Sequence, residues 1–373
     1  MVYLENNRKY VKIRKNHKNR KRSRRIKKTV ILSIIIAAVA AACIACLYFD
    51  LGSQAQKFAD HVKGAFVSQE DKGSSVKSKA STTAADKDNS SNQQTTMQQI
   101  KETTITFTGD VLLSDYVLNN YNSVGIDGVI APTLRQKLVD SDLLFINNEF
   151  PYAATGTAAA GKTYTFRVDP QYVTILNQMG VDIAGLANNH VLDYGPEALQ
   201  ETFHALDFAK IAYTGAGNSL EDASKLVTFD VQGKTYGFLA ASRVIPTSSW
   251  DVRNAQPGVF TCYDEAQLIA DITAAKQTCD DVFVSVHWGT EHTDILTNYQ
   301  QKMAHEFVDA GADAVIGSHP HVLQSMEYYN GKPIFYSLGN FIFNQDIAQT
   351  TAVQIHVSAD NTSSVTLLPA TAS

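Results

Sequence analysis

Short apolar runs alternate with longer stretches of helical periodicity over the last 270 or so residues of the chain. The runs are rich in β-branched and aromatic residues, as strands are, and the alternation predicts a mixed α/β domain at residues 103–373. Strands are predicted at Ile105–Gly109, Leu143–Asn147, Val181–Ala187, Leu226–Asp230, Thr235–Ala241, Asp281–His287, Ala314–Gly317, Thr351–Val357 and Ser363–Leu368. Helices are predicted at Thr133–Ser141, Pro170–Met179, Gly195–Ala209, Asp264–Thr278 and Asn298–Ala310.

Two glycine-containing turns predict hairpins. Gln232-Gly233 separates one pair of strand-like runs, and Asn330-Gly331 separates another. Turns of this composition join antiparallel strands, so we expect a mixed rather than a purely parallel sheet. A polar loop is expected between the first strand and the helix that begins at Thr133. A domain of roughly 270 residues buries about three-quarters of the surface of its unfolded chain, which is enough for a large core.

A 21-residue apolar segment precedes this domain at residues 29–49. It contains no charged side chain, and a helix of this length spans roughly 30 Å, the thickness of the hydrocarbon core of a bilayer. Tyr48 and Phe49 end it with aromatic rings suited to the membrane interface. We therefore predict a single transmembrane helix at residues 29–49. Residues 50–102, rich in Ser, Thr, Gln, Asn and Lys towards their end, are predicted to be a disordered extracellular linker.

Charge is distributed unevenly along the chain. Residues 1–28 hold 13 Lys or Arg and one acid, a net charge of +12. The formal net charge of the whole chain is -5, so residues 29–373 carry −17. Positive charge beside a transmembrane helix marks the cytoplasmic side. We therefore expect a basic cytoplasmic tail at residues 1–28 and an extracellular domain held at the cell membrane by a single pass. Nucleic acid is not an expected partner, because the tail has no aromatic interleaving beyond Tyr10.

Two alternatives stay open for the apolar segment. Small residues near Ala40–Ala42 also suit a cleaved signal peptide, although the apolar region of such a peptide is usually only about 7–15 residues long. A lipoprotein would need an aliphatic residue three positions before its cysteine. Cys46 has Cys43 at that position and Cys43 has Ala40, so the lipoprotein alternative is less favoured.

The cysteines do not indicate a disulfide framework. Cys43 and Cys46 lie inside the apolar segment, and Cys262 and Cys279 bracket a predicted helix of about 15 residues that holds them too far apart for a disulfide. An external domain without disulfides favours a Gram-positive surface.

Metal-capable and carboxylate side chains follow five of the apolar runs. Loops beyond the carboxyl ends of α/β strands are the usual location of active sites, because side chains from separate strands converge there. Four of the ten histidines fall at these positions. The candidates are Asp110, Asn147, Asn148, Glu149, Asn188, Asn189, His190, His287, Glu291, His319 and His321.

This set favours one or two divalent metal ions. Imidazole and carboxylate ligands suit Zn, Mn or Fe, and no cysteine competes at these positions. In His319-Pro320-His321 both rings are expected on one side of an extended segment that the proline stiffens. Bound ions would polarise a phosphoryl or carbonyl oxygen, and His190 or His287 would alternatively act as general acid.

The same residues belong to an ordered set of motifs across about residues 103–345: TFTGDVLLSD, NNEFP, GLANNHVLDYG, HWGTE, GSHPHVLQ and YSLGNFIF. In this set the chain resembles the CapA family of capsule or poly-γ-glutamate synthesis proteins, whose domain is similar to the calcineurin-like metallophosphoesterases. The resemblance implies a four-layer α/β/β/α sandwich with its site at the strand ends. An anchored, external domain is also typical of this family.

The resemblance implies roles for individual residues. The implied metal ligands are Asp110, Glu149, Asn189, His287, His319 and His321, and Asn148 and Asn340 are further site residues. The implied catalytic residues are His190, His287, Asp193 and Glu291. Two departures matter: Leu112 stands where the metallophosphoesterases have a histidine ligand, and Glu149 replaces a bridging aspartate. Neither a complete two-metal site nor phosphatase activity follows from this sequence.

The expected function is participation in poly-γ-glutamate or capsule biosynthesis or export. Expected partners are the lipid bilayer, membrane-bound polymer synthase or export subunits, and an anionic polymer or wall component. One alternative is a surface metallohydrolase outside capsule assembly, acting on a phosphoester or on an amide in a polyglutamate or wall peptide. Another is a polymer-binding module that keeps a degenerate site. Whether the protein is an enzyme stays open at this point.

Overall fold

The computed structural model describes residues 102–344, 347–360 and 362–372. The predicted cytoplasmic tail and transmembrane helix, and the linker up to residue 101, lie outside these ranges. None of the helices in these ranges combines the length and the hydrophobicity that a membrane span requires. Strands and helices alternate along these residues, which confirms the predicted mixed α/β class.

Fifteen strands and seven α-helices lie in the described part of the chain. The strands are β1 (Thr103–Val111), β2 (Leu143–Asn148), β3 (Ile183–Gly185), β4 (Ala212–Thr214), β5 (Ala216–Gly217), β6 (Val227–Val231), β7 (Lys234–Ser242), β8 (Gly258–Val259), β9 (Asp281–His287), β10 (Ala314–Ser318), β11 (Met326–Tyr329), β12 (Lys332–Phe335), β13 (Asn340–Ile342), β14 (Ile347–Val357) and β15 (Ser363–Ala372). The α-helices are α1 (Asp115–Val124), α2 (Pro132–Val139), α3 (Thr174–Met179), α4 (Gly195–Ala209), α5 (Leu220–Ala223), α6 (Ala266–Ala275) and α7 (Asn298–Asp309). Short 3-10 helices lie at Gly125–Gly128, Pro170–Val173 and Ser248–Trp250.

The strands form two large sheets and one small pair. The first sheet has the order β15-β14-β1-β2-β3-β4, with β13 paired to β1, and the second has the order β11-β12-β10-β9-β7-β6. The small pair is β5 with β8. Within the first sheet β1, β2, β3 and β4 run parallel, and within the second β7, β9, β10 and β12 run parallel. The carboxyl ends of the parallel strands therefore lie together at one edge of each sheet.

Both predicted hairpins are present. Gln232-Gly233 joins β6 to β7, and Asn330-Gly331 joins β11 to β12. Both residues of each turn have positive φ, 55° and 82° in the first and 49° and 78° in the second. Positive φ at both central positions is what a two-residue type I′ turn requires, and Asn and Gly adopt it at low cost.

Phenylalanine rings join the two large sheets. The ring of Phe107 in β1 lies 6.2 Å from that of Phe238 in β7 and 5.4 Å from that of Phe283 in β9. Phe145 in β2 lies 6.2 Å from Phe238. All four rings are buried, so the sheets pack face to face through an aromatic core.

Strand β9 shows how this packing positions a site residue. Alternate side chains of a strand point to opposite faces. Val282 and Val284 pack into the cluster that contains the apolar faces of α6 and α7, whereas Phe283 belongs to the core between the sheets. His287 is in phase with Phe283, so it lies on the inner face at the carboxyl end of the strand.

The polar loop predicted before Thr133 is wrong in part, because it contains helix α1. Ser114 caps this helix by accepting a hydrogen bond from the backbone N–H of Val117. The helix itself carries three asparagines, which have low helix propensity. Its amino-terminal cap is therefore the stronger signal in the sequence.

Cys262 and Cys279 are both buried and free, which confirms that they do not pair. Burial raises the pKa of the Cys262 thiol to about 12, so this thiol stays protonated and inert at neutral pH.

Candidate metal centre

Site residues from both sheets meet at the carboxyl ends of the central strands. Asp110 lies near the end of β1 and pairs in register with Asn147 of β2. Glu149 directly follows β2, His287 ends β9, and His319 directly follows β10. All five are buried. The face-to-face packing of the sheets therefore brings together residues that are far apart in sequence.

Glu149 carries the charge at the centre of this cluster. Its side chain is fully buried, and neither carboxylate oxygen has a hydrogen-bond partner among the described residues. His287 Nε2 lies 3.7 Å from Glu149 Oε1, and His321 Nε2 lies 4.0 Å from the same oxygen. Glu149, His319 and His321 each place a potential ligand atom within 4.8 Å of the others.

Electrostatics at the cluster are strongly perturbed. Burial and the charge of Asp110 raise the pKa of Glu149 well above its ordinary value. Burial alone would lower the pKa of His321, but the charge of Glu149 and the bond to Asp110 raise it to about 10. Burial and the charge of His321 lower the pKa of His319 to about 4. At neutral pH the His319 ring is therefore neutral, whereas His321 carries a positive charge beside the buried carboxyl groups of Asp110 and Glu149.

These atoms fit a divalent cation. Burying a carboxylate without a partner costs several kcal/mol, and a positive ion is the usual compensation. His319 Nδ1 is also buried without a partner in the described ranges, so it offers a second unused ligand atom. Glu149, His319 and His321 would hold the ion, and a bound divalent ion would supply Lewis-acid polarisation of a substrate oxygen.

Hydrogen bonds orient the rings around Glu149. His287 Nε2 lies 2.9 Å from Asn189 Oδ1, and His287 Nδ1 lies 3.0 Å from Ser318 Oγ. His321 Nδ1 lies 2.8 Å from Asn340 Oδ1. Fixing Nδ1 of His321 in this way directs its Nε2 towards a metal, whereas both ring nitrogens of His287 have partners within the chain.

The backbone of the His-Pro-His segment is not extended, so that prediction is wrong. His319 has φ of 98° and His321 has φ of 60°, both in the left-handed region that favours glycine. Such backbone costs of order 1–3 kcal/mol per residue and is typical of functional sites. The two rings still reach one cluster, with centroids 5.9 Å apart.

His190 and Asp193, both predicted to be catalytic, form a buried pair next to the cluster. His190 Nδ1 lies 2.7 Å from Asp193 Oδ2. Because a carboxylate only accepts hydrogen bonds, we assign the Nδ1 proton to this bond, which leaves Nε2 to exchange a proton with a ligand. Burial lowers the pKa of His190, so the neutral ring is favoured.

Lys162 is a site residue that the sequence pattern did not indicate. Its ammonium group donates to Asp193 Oδ1 and to the backbone oxygen of Asn189, and it lies 2.9 Å from His190 Nδ1. It also lies 5.2 Å from the centroid of the Trp250 ring. Lys162 lies in a long loop whose sequence has no hydrophobic periodicity. Its place in the site depends on the ion pair with Asp193, which lies in a different segment of the chain.

Asp193 fastens this loop to the site. Its Oδ2 atom accepts a 2.7 Å hydrogen bond from the backbone N–H of Phe166, and its backbone oxygen accepts one of 2.8 Å from Ala159. The Phe166 ring stacks on His190 with centroids 4.2 Å apart. The loop therefore forms one wall of the site.

The remaining candidates lie at the margin of the cluster. Asn148 donates a 2.7 Å hydrogen bond to the backbone oxygen of Phe150 and so holds the turn that carries Glu149. Glu291 is exposed, and its charge contributes to the raised pKa of Glu149. His292, which the sequence pattern left outside the site, lies with its ring centroid 6.0 Å from that of His321.

We expect Asn340→Ala to weaken binding of Mn²⁺ by about 10–100-fold, because His321 loses the acceptor that orients its ring. Isothermal titration with Mn²⁺ measures this change. Asn218→Ala, at an exposed asparagine, is the matched control and should bind as tightly as the wild-type chain. Unchanged affinity in Asn340→Ala would show that His321 is not a ligand.

Fold and cluster together define a mixed α/β domain with a carboxylate–histidine centre at the carboxyl ends of its strands. Residues 104–345 match the family described as bacterial capsule synthesis protein PGA_cap, and the chain belongs to this family.

Curated relatives are consistent with this membership. The chain is 32% identical over 271 residues to the PGA biosynthesis protein CapA of Bacillus subtilis (strain 168), which covers 70% of each chain. It is 31% identical over 279 residues to the capsule biosynthesis protein CapA of Bacillus anthracis, covering 71% of this chain and 66% of the relative. A probable polyglutamine synthesis accessory protein of Mycobacterium tuberculosis is 35% identical over 211 residues, covering 54% of this chain and 56% of the relative.

Solved structures give weaker similarities. A phosphatase from Mycoplasma pneumoniae aligns with a TM-score of 0.47 and 12% identity, covering 73% of this chain and 94% of that chain. The 5'-nucleotidase of Candida albicans aligns with a TM-score of 0.37 and 12% identity, covering 71% of this chain and 51% of that chain. At TM-scores below 0.5, these similarities establish neither the fold nor the chemistry of this protein.

Proposed function

We propose that this chain is a membrane-anchored extracellular protein that takes part in poly-γ-glutamate or capsule biosynthesis or export. The observation that carries the proposal is the family match over residues 104–345, which spans nearly the whole described domain. A relative named for PGA biosynthesis supports the same polymer, at 32% identity.

In this proposal the domain is a metallophosphoesterase-like four-layer sandwich whose divalent metal centre serves the polymer role. The two sheets with a shared core, and the unpartnered buried oxygens of Glu149 at their carboxyl ends, support it. Mn, Zn and Fe all suit a donor set of one carboxylate and two imidazoles.

The proposed topology rests on the sequence. The +12 tail and the 21-residue apolar segment favour a cytoplasmic amino terminus and an extracellular domain beyond residues 50–102, at a Gram-positive surface. The proposed partners are membrane-bound synthase or export subunits and an anionic polymer or wall component. A bound cation would reduce repulsion between such a polymer and the −17 carried by residues 29–373.

Deleting the gene tests the polymer role. The measured quantity is glutamate released by acid hydrolysis of polymer extracted from washed cells, compared with the parent strain. We expect the deletion strain to lose most of this polymer and the wild-type gene to restore it. Unchanged polymer after deletion would refute the capsule role and leave the family assignment intact.

A hydrolase acting on a phosphoester or an amide is the second candidate, and the His190–Asp193 pair beside the carboxylate centre favours it. This pair places a proton acceptor, the Nε2 atom of neutral His190, next to a potential Lewis-acid site. The test is hydrolysis of phosphoester and γ-glutamyl amide substrates by the full chain with Mn²⁺. Activity should fall at least about 100-fold in His190→Ala, and activity that survives both this change and His319→Ala would exclude this site as its source.

A further inference from the structure

Lys162 places an ammonium group beside the proposed metal centre, in an ion pair with Asp193. The lysine side chain is only 14% exposed, and the side chain of Asp193 is fully buried. Lys162 lies in the long loop before α3, and Asp193 also holds this loop by accepting a hydrogen bond from the backbone N–H of Phe166. The ammonium group is thus a largely buried, hydrogen-bonded part of the site and is not a solvated surface charge.

A charge inventory shows what this ammonium changes. Three carboxylates of the site are fully buried, namely Asp110, Glu149 and Asp193, and together they carry −3. The ion pair with Lys162 compensates Asp193 and leaves −2 on Asp110 and Glu149. His321 counts as neutral here, because a metal ligand must be deprotonated. Glu291 is exposed and therefore screened by solvent.

One divalent ion balances this remaining charge. A second would leave a buried excess of about two positive charges in a site where desolvation makes net charge costly.

We propose that Lys162 limits this centre to a single divalent ion by neutralising Asp193 and occupying one of its carboxylate oxygens. The inference rests on the metal centre of the proposed function and specifies its ion count. Asp193 Oδ1 binds Lys162, and Oδ2 binds His190 and Phe166, so neither oxygen is available to a second ion. Without the lysine, the site has both an additional negative charge and a vacant carboxylate oxygen.

The test is the number of Mn²⁺ ions bound per full-length chain, measured by equilibrium dialysis after chelator treatment, with the chain in detergent. We expect about one ion in the wild-type chain and about two in Lys162→Met, which removes the charge and keeps the side-chain length. Lys162→Arg, which keeps the charge, should bind about one. Lys137→Met, at an exposed lysine of α2, is the matched control and should also bind about one.

The double variant Lys162→Met/Asp193→Asn separates charge from structure. It restores the original charge, so it should return to about one ion, whereas a purely structural role of Lys162 predicts no recovery. Two ions in the wild-type chain, or one in a folded Lys162→Met, would overturn the inference but not the metal centre. If Lys162→Met does not fold, Lys162→Gln is measured in its place, because it also removes the positive charge: about two ions would support the inference and about one would overturn it. A wild-type chain that binds no ion would refute the metal centre itself.

Discussion

Replacing Glu149 by Gln is expected to stabilise the metal-free protein by about 1–3 kcal/mol and to abolish its stabilisation by divalent ions. The carboxyl group is fully buried with two unpartnered oxygens, so folding without a metal must either bury its charge or take up a proton, and both cost free energy. A neutral amide of the same shape removes that cost. It also removes the charged ligand, so Mn²⁺ should no longer raise the melting temperature.

The pH dependence of this effect has a definite sign. Burial and the charge of Asp110 raise the pKa of Glu149 in the folded chain above its ordinary value of 4.5. The folded chain therefore binds more protons than the unfolded chain above about pH 4.5, and stability falls as pH rises. The gain from Glu149→Gln should accordingly be larger at about pH 8 than at about pH 5.

Thermal unfolding with chelator and with excess Mn²⁺ measures both effects. Glu221→Gln, at an exposed glutamate, is the control and should change neither the metal-free melting temperature nor the response to Mn²⁺. A Glu149→Gln variant that is still stabilised by Mn²⁺ as strongly as the wild-type chain would show that Glu149 does not bind the ion.

Phe107→Ala is expected to destabilise the domain by about 3–5 kcal/mol, which lowers the melting temperature by roughly 6–20 °C. The ring of Phe107 contacts aromatic rings of both sheets, with centroids 5.7 Å from Phe145 and 5.4 Å from Phe283. Truncation removes these contacts and leaves a cavity between the two sheets. The sheets cannot close this cavity, because each also packs against helices on its outer face.

Phe208→Ala is the matched control for this substitution, since its ring is 80% exposed on α4. Its removal should shift the melting temperature by no more than about 2 °C. Equal shifts in the two variants would show that the sheets do not depend on a shared aromatic core.

Sequence patterns predicted the parts of the fold that a local signal specifies. Both hairpins followed from Gln232-Gly233 and Asn330-Gly331, and the bounds of α4 and β9 match the predicted ones. The cluster could be anticipated because parallel strands end at one edge, so polar residues after separate strands become neighbours. The structure brings Asp110 and Glu149 together in this way.

Features set by tertiary contacts could not be predicted. Lys162 lies in a loop with no apolar period, and its position depends on Asp193 and Trp250 from other segments. The left-handed backbone at His319 and His321 opposes their local preference and is imposed by the surrounding fold. Strand β4 has three residues at the edge of a sheet, too few for a period-two pattern.

We propose that a metal centre at Glu149 supports formation or export of a surface polymer, and complementation of the deletion strain is the experiment that decides this. The strain expresses the wild-type chain, Glu149→Gln or Phe208→Ala, at matched amounts in the membrane fraction, and surface polyglutamate is measured by acid hydrolysis. We expect the wild-type chain and Phe208→Ala to restore the polymer, and Glu149→Gln to remain near the level of the deletion strain. Full restoration by Glu149→Gln would contradict it.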